Sequence, residues 1–315
     1  MDLSIAIVNY NTKEFLKGCL ESIYDTVKSI EFEIYVVDNA SIDGSAQMVE
    51  DAFPGVKLIK NKENLGFAKA NNQAIEISKG RHILLLNPDI VSHPKAMESM
   101  VEFLDKNSKI GAIGAKLLNP DGSVQISGYY CKFPSFFQVL FFYTALRHLA
   151  LKSSFLKYRF WQHVDVDKPC EVDQPPGACL MVKKVVIDQI GLLDEDFPLF
   201  FNDVDWCYRI KRAGWKIFYY PNAEMIHFGG RSFVSQEIND KIKWGLASYN
   251  GLEKYFVKYN CHITAITTKL IVLIDSAIKF PAWGILYILS KSKREKAKRV
   301  FQYNAAIIKH WCLKA

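Results

Sequence analysis

What most constrains this chain is the placement of polar residues along its first 120 positions. Short apolar runs alternate with helical patterns, and three of those runs end on a carboxamide or a carboxylate. Residues 3–8 end on Asn9-Tyr10-Asn11, residues 34–37 on Asp38-Asn39, and residues 82–86 on Asn87-Pro88-Asp89. Residues 14–23, 67–77 and 97–104 carry apolar side chains at helical spacing, and 56–59 and 110–118 read as further strands. Strands alternating with helices predict βαβ units and a mostly parallel sheet flanked by helices, an α/β protein. Ligands of such sheets bind beyond the carboxyl ends of the strands. The candidate site is therefore the edge that carries Asn9, Asp38 and Asp89.

The chain is 315 residues long, enough for two domains or for one large α/β domain with additions. Its Lys+Arg 40 against Asp+Glu 33 give a formal charge of +7, too mild to imply a nucleic-acid partner. Seven cysteines without a C-x-x-C pair suggest neither a disulfide framework nor a cysteine zinc site, and fit reduced thiols in the cytoplasm. The first residues lack a basic segment followed by an apolar one, so a secretory signal is not expected.

Past residue 128 the pattern changes. Residues 133–151 are aromatic and apolar but contain Arg147 and His148. Alternation returns near Val172, and residues 204–213 and 215–220 read as a helix and a strand. Residues 263–289 are apolar but interrupted by Lys269, Asp275, Lys279 and Pro281, which predicts two short hydrophobic helices rather than one span of about 20 uninterrupted apolar residues. Lys291, Lys293, Arg294, Lys296, Lys298 and Arg299 follow, with Glu295 as the one acid among them. An apolar helix beside a basic cluster suits an anionic membrane surface; the alternative is a solvated basic helix that caps a domain.

Each candidate segment admits two readings. Asp38 can accept hydrogen bonds from a ribose hydroxyl or a base N–H, or can close an Asx turn with Asn39. Asp89, just past a buried strand, can hold a hard cation on a diphosphate, or can belong to a turn started by Asn87-Pro88. Asn64-Leu65-Gly66-Phe67-Ala68-Lys69-Ala70-Asn71-Asn72 can present a helix N-terminus and Lys69 to phosphate, or can be an ordinary glycine turn. Asp203, where a helix begins, can be a general base, or Asp203 and Asp205 can be first-turn charges. His227, before Gly229-Gly230, can be a metal ligand or a diphosphate donor, or can be a loop histidine. Hydrolytic signatures are missing: the chain has no G-x-S-x-G, no H-E-x-x-H and no G-x-x-x-x-G-K-[ST].

In order, these pieces resemble the family 2 glycosyltransferases, and more closely the rhamnosyltransferase-like branch that builds bacterial surface polysaccharides. The matching segments are Val8-Asn9-Tyr10-Asn11, Val37-Asp38-Asn39-Ala40-Ser41-Ile42-Asp43-Gly44-Ser45, Asn64-Leu65-Gly66-Phe67-Ala68 with Asn71-Asn72, Leu86-Asn87-Pro88-Asp89, Pro176-Gly177-Ala178-Cys179, Phe201-Asn202-Asp203-Val204-Asp205, and His227 with Gly229-Gly230. They cover roughly residues 1–235, about three quarters of the chain.

The resemblance implies a GT-A fold over residues 1–235. It would have a nucleotide-binding half (about 1–125), an aromatic insertion (about 129–165) and an acceptor half (about 170–235), followed by a helical extension over 236–315. It implies inverting transfer of a sugar from a nucleotide-diphosphate donor, dTDP-rhamnose first and UDP-sugars next, to a glycan or a polyprenyl-diphosphate-linked acceptor. Asn9, Asn11, Asp38, Asn64, Gly66, Lys69, Asn71, Asn87 and Asp89 would bind the donor. Asp89, with His227, would hold Mg2+ or Mn2+, Asp203 would be the general base, and Gly177, Ala178 and Asp205 would face the acceptor. The implied location is cytoplasmic, peripheral at the inner face of the plasma membrane, with a second copy of the chain as the other partner for the apolar segments. This chain departs from the family's pattern where Asn87 replaces the first acid of its D-x-D and Asn202 replaces the glutamate before the base. Those two substitutions leave open a nucleotide-sugar-binding or assembly protein without activity. A nucleotidyltransferase would need a glycine-rich, basic loop where this chain has Asn9-Tyr10-Asn11-Thr12.

Overall fold

A computed structural model of the chain describes residues 1–125, 132–142, 152–153, 165–197, 199–229, 238–259 and 261–312. The chain divides into two compact units, one of residues 1–133 and 162–234, the other of residues 134–161 and 235–315.

The first unit begins with β1 (Leu3–Asn9), α1 (Lys13–Thr26), β2 (Phe32–Asp38), α2 (Ser45–Ala52), β3 (Lys57–Lys60), α3 (Phe67–Ile77), β4 (His82–Leu86), β5 (Ile90–Ser92), α4 (Ala96–Lys106) and β6 (Ile110–Leu118). The short helix α5 (Phe136–Phe142) belongs to the second unit. The first unit then resumes with β7 (Cys170–Glu171), β8 (Cys179–Lys183), α6 (Lys184–Ile190), α7 (Asn202–Arg212) and β9 (Lys216–His227). These strands form one nine-stranded sheet in the order β3-β2-β1-β4-β8-β6-β9-β5, with β7 paired to β9. β1 and β4 are buried along their whole length, as strands covered on both faces must be, which is why they read as unbroken apolar runs.

The parallel character read from the sequence holds for β3-β2-β1-β4 and again for β6 with β9. β8 enters between β4 and β6 antiparallel to both, so the sheet is mixed. β9 is also longer than the run at 215–220 suggested. Its pairing with β6 shifts register between Ala115 and Lys116, where Pro221-Asn222-Ala223 bulge out, and then continues to His227. Proline cannot donate to the ladder, so it marks an end when read from sequence; a bulge lets the strand resume beyond it.

The second unit contains α5, α8 (Ile238–Lys258), α9 (His262–Leu289), a 3-10 turn (Lys291–Lys293) and α10 (Arg294–Cys312). The expected pair of short helices at 263–289 is instead one helix of 28 residues with Pro281 inside it. Proline removes only one helical hydrogen bond. The buried face on Ala265, Thr268, Val272 and Ser276 packs continuously, and Val272 joins Ile307 and Trp311 in a small core. Phe280 stacks on Phe301 one residue before the proline, at 4.3 Å between ring centroids. Most of the aromatic insertion, residues 143–151 and 154–164, lies outside the described residues, as does Gly230.

Candidate active site

The parallel register lays the predicted donor side chains next to one another. Asn9 pairs with Asp38 across β1 and β2, and Ile7 with Leu86 across β1 and β4, so Asn87 lies at the same edge. Asn9 is fully buried; its amide donates to Asp38 Oδ1 (3.0 Å) and to Ser41 Oγ (3.1 Å), and its oxygen accepts from Thr12 Oγ1 (2.6 Å). The Ser41 N–H, three residues on, donates to Asp38 Oδ2 (3.0 Å) and holds the carboxylate at the strand end. Asn11 and Ala40 both take left-handed backbone (φ 55° and 67°), and the Asn11 side-chain oxygen accepts from Ile42 N at 2.8 Å. Non-glycine residues in that region carry strain that cooperating hydrogen bonds must offset.

Asn39 extends this network to the next loop. It donates to Asn64 Oδ1 (2.9 Å) and Gly66 O (3.3 Å), and accepts from Asn61 Nδ2 (3.0 Å) and Leu65 N (3.1 Å). Gly66, at φ 83°, makes the turn into α3, and Lys69 is exposed on that helix's first turn. Asn71 is buried and donates back to Phe67 O within α3, while Asn72 clasps the Leu193 backbone through its N–H and its carbonyl. Sequence reading did not find Ser41 or Asn61, because a lone serine or asparagine in a loop has no periodic signature.

Asp89 and His227 meet across β5 and β9. Ile90 pairs with His227, and the Phe228 N–H donates to Asp89 O. Asp89 is buried, and neither of its carboxylate oxygens has a hydrogen-bond partner. His227 Nε2 lies 3.4 Å from Asp89 Oδ1. A buried carboxylate left without donors is costly unless something positive completes it. An imidazole and a carboxylate side by side are donors that suit a divalent cation of the Mn2+ or Mg2+ kind. No cluster of three or more such side chains occurs among the described residues, so a cation here would draw its other oxygens from phosphate and water.

Asp203 is tied to the same edge through β8. Leu86 pairs with Cys179, and the Asn87 N–H donates to Ala178 O (2.9 Å). The Gly177 N–H in turn donates to Asp203 Oδ2 (3.2 Å), so only a few residues of backbone separate the two acids. A Cβ on Gly177 would fall 2.7 Å from Asp203 Oδ2 and 2.9 Å from its Cβ, so residue 177 has to be glycine for the carboxylate to lie where it does. Phe201, at φ 69°, swings the chain into α7, and Asp203 Oδ1 accepts from the Val204 N–H (2.9 Å). Burial pushes the Asp203 carboxyl above the usual carboxylate range, against the pull of these backbone donors. Asn202 donates its amide to Phe197 O and Leu199 O (both 3.2 Å); a glutamate there could not, which accounts for one departure from the family pattern.

Asp205, expected to face the acceptor, is fully buried and accepts from Arg209 Nε (2.8 Å), whose guanidinium also binds Ile190 O and Leu192 O. That pair fastens the 190–192 turn to α7.

The family model described as Glycosyl transferase family 2 matches residues 4–161, half of the chain. The N-acetylglucosaminyl-diphospho-decaprenol L-rhamnosyltransferase of Mycobacterium tuberculosis is 26% identical over 246 residues, covering 73% of this chain and 77% of the relative. The low-salt glycan biosynthesis hexosyltransferase Agl10 of Haloferax volcanii is 26% identical over 230 residues, covering 72% and 67%. Among solved structures, the mannosyltransferase PcManGT from Pyrobaculum calidifontis, in complex with GDP-Man and Mn2+, aligns with a TM-score of 0.56 at 16% identity, covering 98% of this chain and 87% of its own. At that identity the likeness shows the fold, which is the GT-A glycosyltransferase fold.

Proposed function

Since the chain belongs to glycosyl transferase family 2, we propose that it transfers a sugar, rhamnose favoured, from a nucleoside-diphosphate donor to a hydroxyl of a lipid-linked glycan with inversion. The observation that carries this reading is the hydrogen-bonded path from Asn87 through Ala178 and Gly177 to Asp203, which supports a site shared by Asp203 and the strand end that leads to Asp89. The relative in Mycobacterium tuberculosis supports the choice of sugar and of a polyprenyl-diphosphate acceptor.

In this reading Asn9, Asp38 and the 61–66 loop hold the nucleoside. Asp89 and His227 hold a divalent cation, which when bound would neutralise charge developing on the departing diphosphate. Asp203 takes the proton of the acceptor hydroxyl at Oδ1 or Oδ2. Its raised pKa brings its basicity closer to the working pH, where a general base is more effective. The test is to supply dTDP-rhamnose or UDP-sugars with Mn2+ or Mg2+ and a polyprenyl-diphosphate-linked acceptor. The expected result is release of the nucleoside diphosphate that depends on the acceptor. Stabilisation by donor without any release would identify a binding protein instead.

The second unit supports a peripheral place at the inner leaflet. Ile263, Ile266, Leu270, Ile274, Ile278, Ile285 and Ile288 of α9 are all exposed, between 51% and 80%, at spacings that put them on one face, opposite Ala265, Thr268, Val272 and Ser276. The helix is long and apolar enough to cross a membrane, but its packing on α10 along the face opposite the exposed stripe suits a helix lying in the interface. Beside its end lie the six exposed basic residues of 291–299. Each is worth about 1 kcal/mol near an anionic surface. The full chain is expected to float with anionic vesicles at low salt and to release as salt rises. If it stays at the bottom of the gradient, and sizing shows a dimer, the stripe is a surface between two copies.

A further inference from the structure

We propose that Gln125 is a positioning residue that fixes the tautomer of His227, so that Nε2 keeps its lone pair for the site shared with Asp89. Gln125 follows the tight turn after β6, where Leu118 bridges Val124, and its own N–H donates to Leu117 O (3.0 Å). Its side-chain amide lies among acceptors on one side and the imidazole on the other. Nε2 donates to Asn119 Oδ1 (3.0 Å) and to the His227 carbonyl (3.2 Å), while Oε1 lies 2.8 Å from His227 Nδ1.

This arrangement settles which way the amide faces. Turned over, Oε1 would confront two oxygens and gain no hydrogen from either. Asn119 is fixed in its turn, because its Nδ2 donates to Ser123 Oγ (2.9 Å) and leaves Oδ1 as the acceptor for Gln125. A carbonyl oxygen only accepts, so Nδ1 of His227 must carry the proton, and Nε2 of the neutral ring is then a base. Nε2 is the nitrogen 3.4 Å from Asp89 Oδ1. Gly229 preserves the room for this contact, since a Cβ there would come within 3.1 Å of Gln125 Nε2 and the residue has φ 67°. Histidines that ligate metals commonly donate their other N–H to an oxygen, and loss of that partner typically costs about 10–100-fold in metal affinity. Gln125 is 102 positions from His227 in the chain, so its role is visible only in the fold.

The inference rests on the proposed cation at Asp89 for its consequence, but not for its geometry, and two readouts separate them. The first is the ring tautomer of His227 in metal-free protein, read from 15N-labelled histidine and assigned with His227→Ala. The expected form is Nδ1–H. An Nε2–H ring in the parent overturns the proposal whatever the enzyme does. The second is Mn2+ binding, measured with Mn2+ alone and with dTDP or UDP present. Gln125→Met keeps the length of the side chain and removes the acceptor; it should weaken Mn2+ binding about 10–100-fold and admit the Nε2–H tautomer. Gln125→Glu keeps an acceptor for Nδ1 but sets its second oxygen against Asn119 Oδ1 and the His227 carbonyl, so its Mn2+ affinity should fall between those of the parent and Gln125→Met. If Gln125→Met folds and binds Mn2+ like the parent, Gln125 does not position the ligand. Should Gln125→Met fail to fold, the parent tautomer still decides. A parent with the Nδ1–H ring and no affinity for Mn2+ under either condition overturns the proposal as a device of metal binding and, with it, the cation assigned to Asp89.

Discussion

Asp203→Asn is expected to bind nucleotide-sugar donor as the parent does and to transfer sugar about 100–10,000-fold more slowly, the range that general-base assistance supplies. Asparagine has the same shape, and its side-chain oxygen can still accept from the Gly177 N–H, so the loop that carries Gly177 and Ala178 keeps its place. What is lost is the basic oxygen. The pH profile provides a second reading. Burial lifts the Asp203 carboxyl, and a general base works only when deprotonated, so parent activity should rise with pH through a value above that of an ordinary aspartate. Stability runs the other way. A carboxyl whose folded pKa exceeds its unfolded one favours the fold below the unfolded pKa and loses that contribution as pH rises through the folded value. At neutral pH the Asp203 charge is therefore a liability to the fold; Asp203→Asn removes it but also gives up the Val204 N–H bond if its oxygen keeps Gly177, so the variant should melt close to the parent. A variant that turns over at the parent rate removes Asp203 from the reaction; one that melts much lower would mean that the charge is structural.

The two acids differ in how legible they were. Asp89 and Asp38 could be placed from sequence because a parallel sheet presents its strand ends together, and a carboxylate after an apolar run therefore has a predictable address. Asp203 could be aligned with a family motif, but not placed, because its link to Asn87 passes through β8. That strand, four apolar residues and Lys183, carries no sign of its direction, and its antiparallel insertion between β4 and β6 leaves no local mark. The continuation of β9 past Pro221 and of α9 past Pro281 was hidden for a related reason. Both prolines are local stop signals overridden by tertiary contacts, a resumed ladder in one case and a packed helix face in the other. Asp203 and Asp205 look equivalent on paper, but the helical turn separates them, and the Asp205 pairing with Arg209 has no mark in the sequence. Gln125 carried no signal, since a half-buried amide that orients another residue has no motif of its own.

Asp89→Asn is expected to separate stability from metal binding. In the absence of metal the parent carries a buried carboxylate with no hydrogen-bond donor on either oxygen. Replacing that group by a neutral amide removes a charge the fold does not solvate, so metal-free Asp89→Asn should melt no lower than the parent. With Mn2+ and nucleoside diphosphate the order should reverse. At 100 times the dissociation constant a ligand that binds only the folded state adds about 2.7 kcal/mol, a rise of roughly 5–10 °C for a unit of about 200 residues. The parent should show this rise, and Asp89→Asn should lose most of it, because an amide oxygen is a weaker ligand for a hard cation and His227 alone is one ligand where the parent has two. Transfer should fall with it. Calorimetric titration with Mn2+ and nucleoside diphosphate supplies the decisive number. If heat and affinity are unchanged in the variant, the orphaned carboxylate at Asp89 is not completed by a cation, and the reaction stabilises its leaving group by other side chains.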